Sequence, residues 1–182
     1  MTYSISRVQE ILGVDSAALP NHDWTVVGDD GPDALFGTHN FAIGVTWTDL
    51  ALIGDAGDDT LDGEEGDDSL YPGPGDDEVL GGPGTDAVAF VDALGPVTVD
   101  LGSGYANENG DRDTISDVEN VLGSGGADHV YGDDRPNVLD GWDGDDFVYG
   151  RGGIDDLRGG EGDDVLADLG QFHLKICSVP AG

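Results

Sequence analysis

A single cysteine, Cys177, stands in 182 residues, so no intrachain disulfide can form. Basic residues number 6 against 39 acidic ones, for a net charge of −33. A chain with no basic stripe has no electrostatic footprint for nucleic acid or for an anionic membrane. No apolar run approaches the ~18 residues that span a bilayer. The N-terminus lacks a basic stretch followed by an apolar core, which argues against a cleaved Sec signal. Catalytic signatures are missing too: there is no H-E-x-x-H and no G-x-S-x-G, and His22, His39, His129 and His173 are scattered. Cys177 has His173 four residues before it, but in a short tail without a scaffold it reads as an incidental thiol. No catalytic or organic-cofactor residues are expected, and the chain reads as a non-enzyme.

What is abundant is glycine, 32 residues in all, against a usual share of about 7%. Charge and hydropathy alone would place such a chain among disordered ones. Its order lies in a period of nine. From Gly54 to Ala89 run GDAGDDTLD, GEEGDDSLY, PGPGDDEVL and GGPGTDAVA; from Gly123 to Ala167 run GSGGADHVY, GDDRPNVLD, GWDGDDFVY, GRGGIDDLR and GGEGDDVLA. Glycine favours positions 1, 2 and 4, aspartate position 6 and an aliphatic residue position 8. Leu61, Leu70, Val79, Val88, Val130, Leu139, Val148, Leu157 and Leu166 hold that last register without exception. An acidic Gly/Asp linker accounts for the glycine and the charge, but not for the aliphatic register.

These units resemble the RTX, or haemolysin-type, calcium-binding repeats, whose pattern is G-G-x-G-x-D-x-U-x with U aliphatic. The resemblance covers about half of the chain. It implies an all-β fold, a parallel β-roll or β-helix solenoid of Gly/Asp-rich nonapeptides, in which two nonapeptides make one coil. It also implies Ca2+ as the ligand, several ions lying between loops of units n and n+2. Asp59 then faces Asp77, Asp68 faces Asp86, Asp128 faces Asp146, Asn137 faces Asp155 and Asp146 faces Asp164, giving up to five sites. Asp58, Asp67, Asp76, Asp145 and Asp163, at position 5, are expected as second carboxylates or outer charges. Gly57, Gly66, Gly75, Gly84, Gly126, Gly144, Gly153 and Gly162, at position 4, are expected to let the backbone curl and aim carbonyls inward. Calcium takes 6–8 oxygens at about 2.3–2.6 Å, and carboxylates and carbonyls suit it. The unit GDDRPNVLD departs from the pattern, with Arg135 in place of glycine and Asn137 in place of aspartate. Arg135 adds positive charge and a Cβ where left-handed geometry is expected, so the Asn137–Asp155 site is expected to be weak or empty.

The organisation expected along the chain has five parts. Residues 1–27 form an N-terminal cap, with a short amphipathic helix carrying Ile5, Val8, Ile11 and Leu12. Residues 28–89 form a first repeat region, of which 54–89 is contiguous. Residues 90–122 are a strand-rich spacer, 123–167 a second repeat block and 168–182 a C-terminal tail. In the spacer, Val97, Val99 and Leu101 alternate as in a half-buried strand, Asn109-Gly110 marks a tight turn, and Ile115, Val118, Val121 and Leu122 rejoin the stack. A tenth unit, GDDGPDALF at Gly28–Phe36, lies 26 residues ahead of the first block, Leu35 to Leu61, and so out of register; Asp33 reads as a turn residue, and each block as its own stack. Tyr131 and Tyr149 should form an aromatic ladder on one outer face.

Each nonapeptide buries one aliphatic side chain, worth about 1.5–3 kcal/mol, while ordering its backbone costs about 1–2 kcal/mol per residue. Burial alone loses, and ion binding must contribute the rest. The resemblance further implies secretion to the calcium-rich exterior through a type I secretion apparatus. A polysaccharide-acting β-helix enzyme, a non-catalytic module of one, and a surface adhesion module are the competing readings; a glycan or protein partner is not specified by the residues.

Overall fold

A computed structural model describes residues 24–28, 31–36 and 50–168. The expected N-terminal helix and all of the tail but Asp168 lie outside the described residues. Every regular element among those described is a strand, and the strands form two sheets facing each other across a thin core. One sheet has seven strands: β1 (Trp24–Val27), β3 (Leu50–Ile53), β5 (Ser69–Tyr71), β7 (Ala87–Ala89), β11 (Asn120–Leu122), β13 (Val138–Asp143) and β15 (Asp156–Glu161), side by side in that order. The other has nine. It begins with β2 (Ala34–Phe36), β4 (Thr60–Asp62) and β6 (Glu78–Leu80). It continues through β10 (Asp111–Ser116), β9 (Tyr105–Glu108) and β8 (Val97–Asp100), and ends with β12 (His129–Tyr131), β14 (Phe147–Tyr149) and β16 (Val165–Ala167). Successive repeat units alternate between the sheets, so two nonapeptides make one coil of a parallel β-roll.

The pairing follows from the period. Within the blocks parallel neighbours are 18 residues apart, as in Leu61↔Val79, Leu70↔Val88, Val130↔Val148, Leu139↔Leu157 and Val148↔Leu166. Side chains alternate across a strand, so one residue of each three-residue strand points inward. Leu61, Leu70, Val79, Val88, Val130, Leu139, Val148 and Leu166 are buried accordingly, and Leu157 is partly buried against the same core. On the outer face Tyr131 and Tyr149 meet edge to face at 6.4 Å, with His129 and Phe147 packed beside them.

Two expectations fail. The unit 28–36 is in register after all: β2 lies parallel to β4 with Leu35 opposite Leu61. The surplus falls between β2 and β3, where Leu35 to Leu52 takes 17 residues instead of nine; β3 itself, LALI, keeps its place beside β5 without a glycine or an aspartate. Nor do the two blocks form separate stacks. The spacer builds rungs in both sheets, β11 joining β7 to β13 in one and β10, β9 and β8 joining β6 to β12 in the other. Strand β9 is antiparallel to both neighbours. The turn after it has Asn109 at φ 49° and Gly110 at φ 107°, the pair of positive values that a two-residue hairpin turn asks for.

Glycine at position 4 has a steric cause. A Cβ on Gly144 would collide with the Gly126 carbonyl one coil below, and one on Gly75 or Gly162 would meet the corresponding carbonyls of Gly57 or Gly144. Gly144 also takes φ 130°. At position 3, Gly125 has open space around the place of its Cβ. Gly144→Ala is therefore expected to destabilise the roll by more than about 1 kcal/mol, and Gly125→Ala to be nearly neutral, read by thermal unfolding in saturating calcium; equal effects would remove the steric account.

Candidate metal centre

The two edges of the roll are columns of turns. One column holds the turns that lead into the nine-stranded sheet, ending at Asp33, Asp59, Asp77, Asp128, Asp146 and Asp164. The other holds those that lead into the seven-stranded sheet, ending at Asp68, Asp86, Asn137 and Asp155. Along each column the backbone N–H of position 6 donates to the position-6 side chain one coil on. Asp59 N–H reaches Asp77 Oδ1 at 2.7 Å, Asp68 N–H reaches Asp86 Oδ1 at 2.8 Å, and Asp128 N–H reaches Asp146 Oδ1 at 2.8 Å. Asn137 N–H to Asp155 Oδ1 and Asp146 N–H to Asp164 Oδ1 are both 3.0 Å. The structure thus brings together each pair that the n, n+2 rule joins. Asp59, Asp68, Asp77, Asp86, Asp128, Asp146 and Asp164 are buried, and Asp155 is half-buried.

Position 5 forms a second ladder with the opposite polarity. Asp76 N–H donates to Asp58 Oδ1 at 3.1 Å, Thr85 N–H to Asp67 Oδ1 at 2.9 Å and Asp163 N–H to Asp145 Oδ1 at 2.9 Å. Asp58, Asp67, Asp76, Asp145 and Asp163 are all exposed. Each turn is therefore held from above by one carboxylate and from below by the other. Of the position-4 glycines, Gly57, Gly66, Gly75, Gly144, Gly153 and Gly162 have positive φ, whereas Gly84 and Gly126 do not.

The ladder uses one oxygen of each inner carboxylate. The second oxygen, Oδ2, of Asp59, Asp77, Asp86, Asp146 and Asp155 is buried without a hydrogen-bond partner among the described residues. Main-chain carbonyls crowd the same space: a Cβ placed on Gly63 would stand 2.5 Å from Asp68 Oδ2 and 2.6 Å from the Gly81 carbonyl, and one on Gly123 would meet Asp128 Oδ2 and the Gly141 carbonyl at the same two distances. Carboxylate and carbonyl oxygens facing a gap between turns are the donor set of a hard cation. Among the described residues no three acidic, imidazole or thiol side chains converge on one point, so a cation between turns would draw heavily on the main chain.

Electrostatics point the same way. Burial pushes Asp77 up to about 8, the N–H of Asp59 opposing it and the Asp113 and Asp59 charges adding to it. Burial likewise takes Asp86 to about 7 and Asp146 to about 6, and raises Asp59 and Asp155. An inner carboxylate without a counter-charge prefers a proton.

The second block differs on one edge. Arg135 does not adopt the left-handed backbone expected of its position; Pro136 follows it and holds it extended. Its guanidinium reaches Asp133 at 2.7 Å, Glu119 at 2.6 Å and the Val118 carbonyl at 3.2 Å. Asn137 Nδ2 donates to the Glu119 carbonyl at 2.8 Å. Arg151, left-handed at φ 67°, forks onto both oxygens of Asp100 at 2.6 and 2.7 Å and onto the Gly132 carbonyl at 2.8 Å. Burial would raise Asp100, but the Arg151 fork and the Ser103 donors outweigh it and hold its carboxyl below the usual range. Carbonyls on this edge are thus already taken by guanidinium N–H groups.

Sequence reasoning missed three acidic residues of the ladders. Asp33 N–H donates to Asp59 Oδ1 at 2.7 Å, so Asp33 belongs to the ladder. Asp113 accepts from Asp77 N–H at 3.1 Å, and Glu119 from Asp86 N–H at 3.0 Å. The signal for Asp113 was present, since Ile115 follows it at the spacing of positions 6 and 8.

Raised folded-state values fix a direction with pH. Below the ordinary carboxylate value of 3.8 both folded and unfolded chains are protonated. Between about 4 and about 8 the unfolded chain loses protons that Asp77, Asp86 and Asp146 retain when folded. In chelator, β content is therefore expected to be highest at about pH 4 and below and to fall as pH rises toward 8, by circular dichroism. Protons and calcium compete for these oxygens, so the calcium midpoint should move to higher concentration as pH falls over the same range. A chelated roll whose β content increases toward pH 8 contradicts the charge argument.

No curated protein matches the chain. Residues 52–88, 122–157 and 150–167 match the RTX calcium-binding nonapeptide repeat, in 4 copies. The matched segments contain the repeat turns of the two ladders, from Asp59 to Asp86 and from Asp128 to Asp164, and the repeat region of this chain belongs to the RTX calcium-binding nonapeptide-repeat family.

Proposed function

We propose that the chain is a calcium-folded roll that works outside the cell: soft and extended where calcium is scarce, ordered where it is near millimolar. The observation that carries this reading is the file of buried carboxylates, each with one oxygen bound along the ladder and, in Asp59, Asp77, Asp86 and Asp146, the other without a partner. Calcium bound between successive turns supplies the positive charge that these columns lack. The chain's own residues do the rest. Position-6 N–H groups orient the carboxylates, close-packed glycines bring carbonyls to the gap, and the position-8 aliphatics close the core behind them. Because the site is assembled only in the folded chain, binding energy is folding energy. Affinities of extracellular modules lie at about 10⁻⁴–10⁻³ M, which suits folding after export, and passage through a type I secretion apparatus is the export route consistent with a chain kept unfolded inside.

The pairs Asp59–Asp77, Asp68–Asp86, Asp128–Asp146 and Asp146–Asp164 are proposed as the tight sites. Asn137–Asp155 is proposed as weak, because Asn137 carries no charge and Arg151 already uses the Gly132 carbonyl. Catalysis is not part of this reading: the arginines that an acidic-glycan enzyme would aim at substrate are engaged, Arg135 and Arg151 by carboxylates and carbonyls and Arg112 by the Tyr105 ring.

Far-UV circular dichroism during a calcium titration tests the proposal, with magnesium as control. A cooperative gain of β structure with calcium and little with magnesium is expected; full β structure in chelator at neutral pH would sink it. Among these sites, Asp146→Ala is expected to abolish the two tight sites that share it, Asp128–Asp146 and Asp146–Asp164, and Asp155→Ala to leave the tight sites as they were. Loss of a tight site on Asp155→Ala would show that the arginine-lined edge binds calcium after all.

A further inference from the structure

We propose a divalent-cation site outside the repeat pattern, where the first block meets the spacer, held between the carboxylates of Asp77 and Asp113. It rests on the calcium reading above and extends it to residues that carry no repeat. Asp113 follows Asp77 by 36 residues and lies in ENGDRDTIS, beyond the segments that match the repeat family. The fold nevertheless places it where the next turn of the column belongs. Strand β10 lies parallel to β6 with Ile115 opposite Val79. Asp77 N–H donates to Asp113 Oδ1 at 3.1 Å, continuing the inner ladder, and Arg112 N–H donates to Asp76 Oδ1 at 2.8 Å, continuing the outer one.

Both carboxylates are enclosed. Asp77 is 2% exposed and Asp113 1%, and Oδ2 of each is buried without a hydrogen-bond partner among the described residues. Glu108 in the hairpin, 3% exposed and paired in register with Asp111, adds negative charge near Asp113 without converging on the pair. The guanidinium of Arg112, adjacent in sequence, is turned away over the Tyr105 ring, 4.9 Å from its centroid. At two other irregular places the fold brings in an arginine, Arg135 beside Glu119 and Arg151 beside Asp100; here no arginine among the described residues is paired with either carboxylate. Sequestering ionised carboxylates without a counter-charge costs several kcal/mol or more, and a hard divalent cation with two carboxylates, main-chain carbonyls and water is the ligand set that relieves it. Protons on the two acids are the competing means of neutralising them.

Equilibrium dialysis against calcium at pH 8, on the full chain, decides between the two. Asp113→Asn keeps the acceptor for Asp77 N–H and removes the charge; Asp146→Asn reports a repeat site in the same way. The expected result is one ion fewer than the parent for Asp113→Asn and a separate loss for Asp146→Asn. An unchanged stoichiometry in Asp113→Asn with a loss in Asp146→Asn overturns this site and leaves the repeat sites standing. A parent chain that binds no calcium overturns both. Should Asp113→Asn fail to fold in saturating calcium, terbium soaked into crystals of the parent chain gives the answer: an anomalous peak between Asp77 and Asp113 is expected, and peaks confined to the repeat turns would overturn the site.

Discussion

Like-charge repulsion inside the two edge columns is the constraint on which the rest of this structure depends. The position-6 ladder is a good hydrogen-bonding device: each buried carboxylate accepts an N–H from the coil below, which orients every turn against its neighbour. It is a poor electrostatic one, because it stacks anions at the strand spacing of about 4.8 Å with low-dielectric core behind them. Hydrogen bonds set the geometry, and the unbalanced charge decides whether that geometry is populated. The same fact explains why burial raises the proton affinity of Asp77, Asp86 and Asp146, and it is the ground on which the calcium-folding proposal rests.

Much of this was legible in the sequence, because a nine-residue period states both the strand and its inward residue. Leu61, Val79, Val130 and Val148 lie where the period puts them, and so do the carboxylate pairs that share an edge. What escaped was everything that stacks without the motif. Strand β3 reads LALI, yet Leu50 N–H donates to Asp68 Oδ1 at 2.9 Å as an aspartate in its place would. The donor in each rung is a backbone N–H, so a coil that only has to give a hydrogen bond may have any side chain at position 6. Only the rung that accepts needs a carboxylate. That asymmetry hid the strand after the first unit, and Val97, which donates to Asp128 Oδ1, is a second case.

The spacer was harder to read for a different reason. It returns on itself, with β8, β9 and β10 forming an antiparallel meander inserted into an otherwise parallel sheet. Between β6 and β12 the nine-stranded sheet carries three strands, while between β7 and β13 the seven-stranded sheet carries one. At about 4.8 Å per strand, one face is longer than the other by roughly 10 Å across the seam. The turns on either side of it can no longer face each other as successive coils. The Asp-to-Asp ladder passes there to a residue outside the repeats, and the column that runs through Asp77 continues on Asp113.

How the seam is neutralised then differs between the edges. On one, the turn at Asp117–Glu119 is short, and Arg135 from the following unit reaches back to Glu119 and the Val118 carbonyl. Arg151 reaches Asp100, 51 residues away in sequence, and so ties the second block to the spacer through both oxygens of one carboxylate. These are departures from the repeat pattern when read along the chain, but in space each puts a fixed cation beside a carboxylate that the interrupted stack could not otherwise satisfy. A guanidinium does not dissociate and does not titrate in the physiological range, so these rungs hold without calcium. The middle of the roll is therefore partly self-neutralised on that edge, while the regular repeats on either side have no such fixed cation beside their inner carboxylates, which is where the proposed calcium dependence lies. Order that begins at an arginine-held seam and spreads outward as calcium loads the flanking turns follows from that distribution of charge, since in a stack each coil is stabilised chiefly by its immediate neighbours.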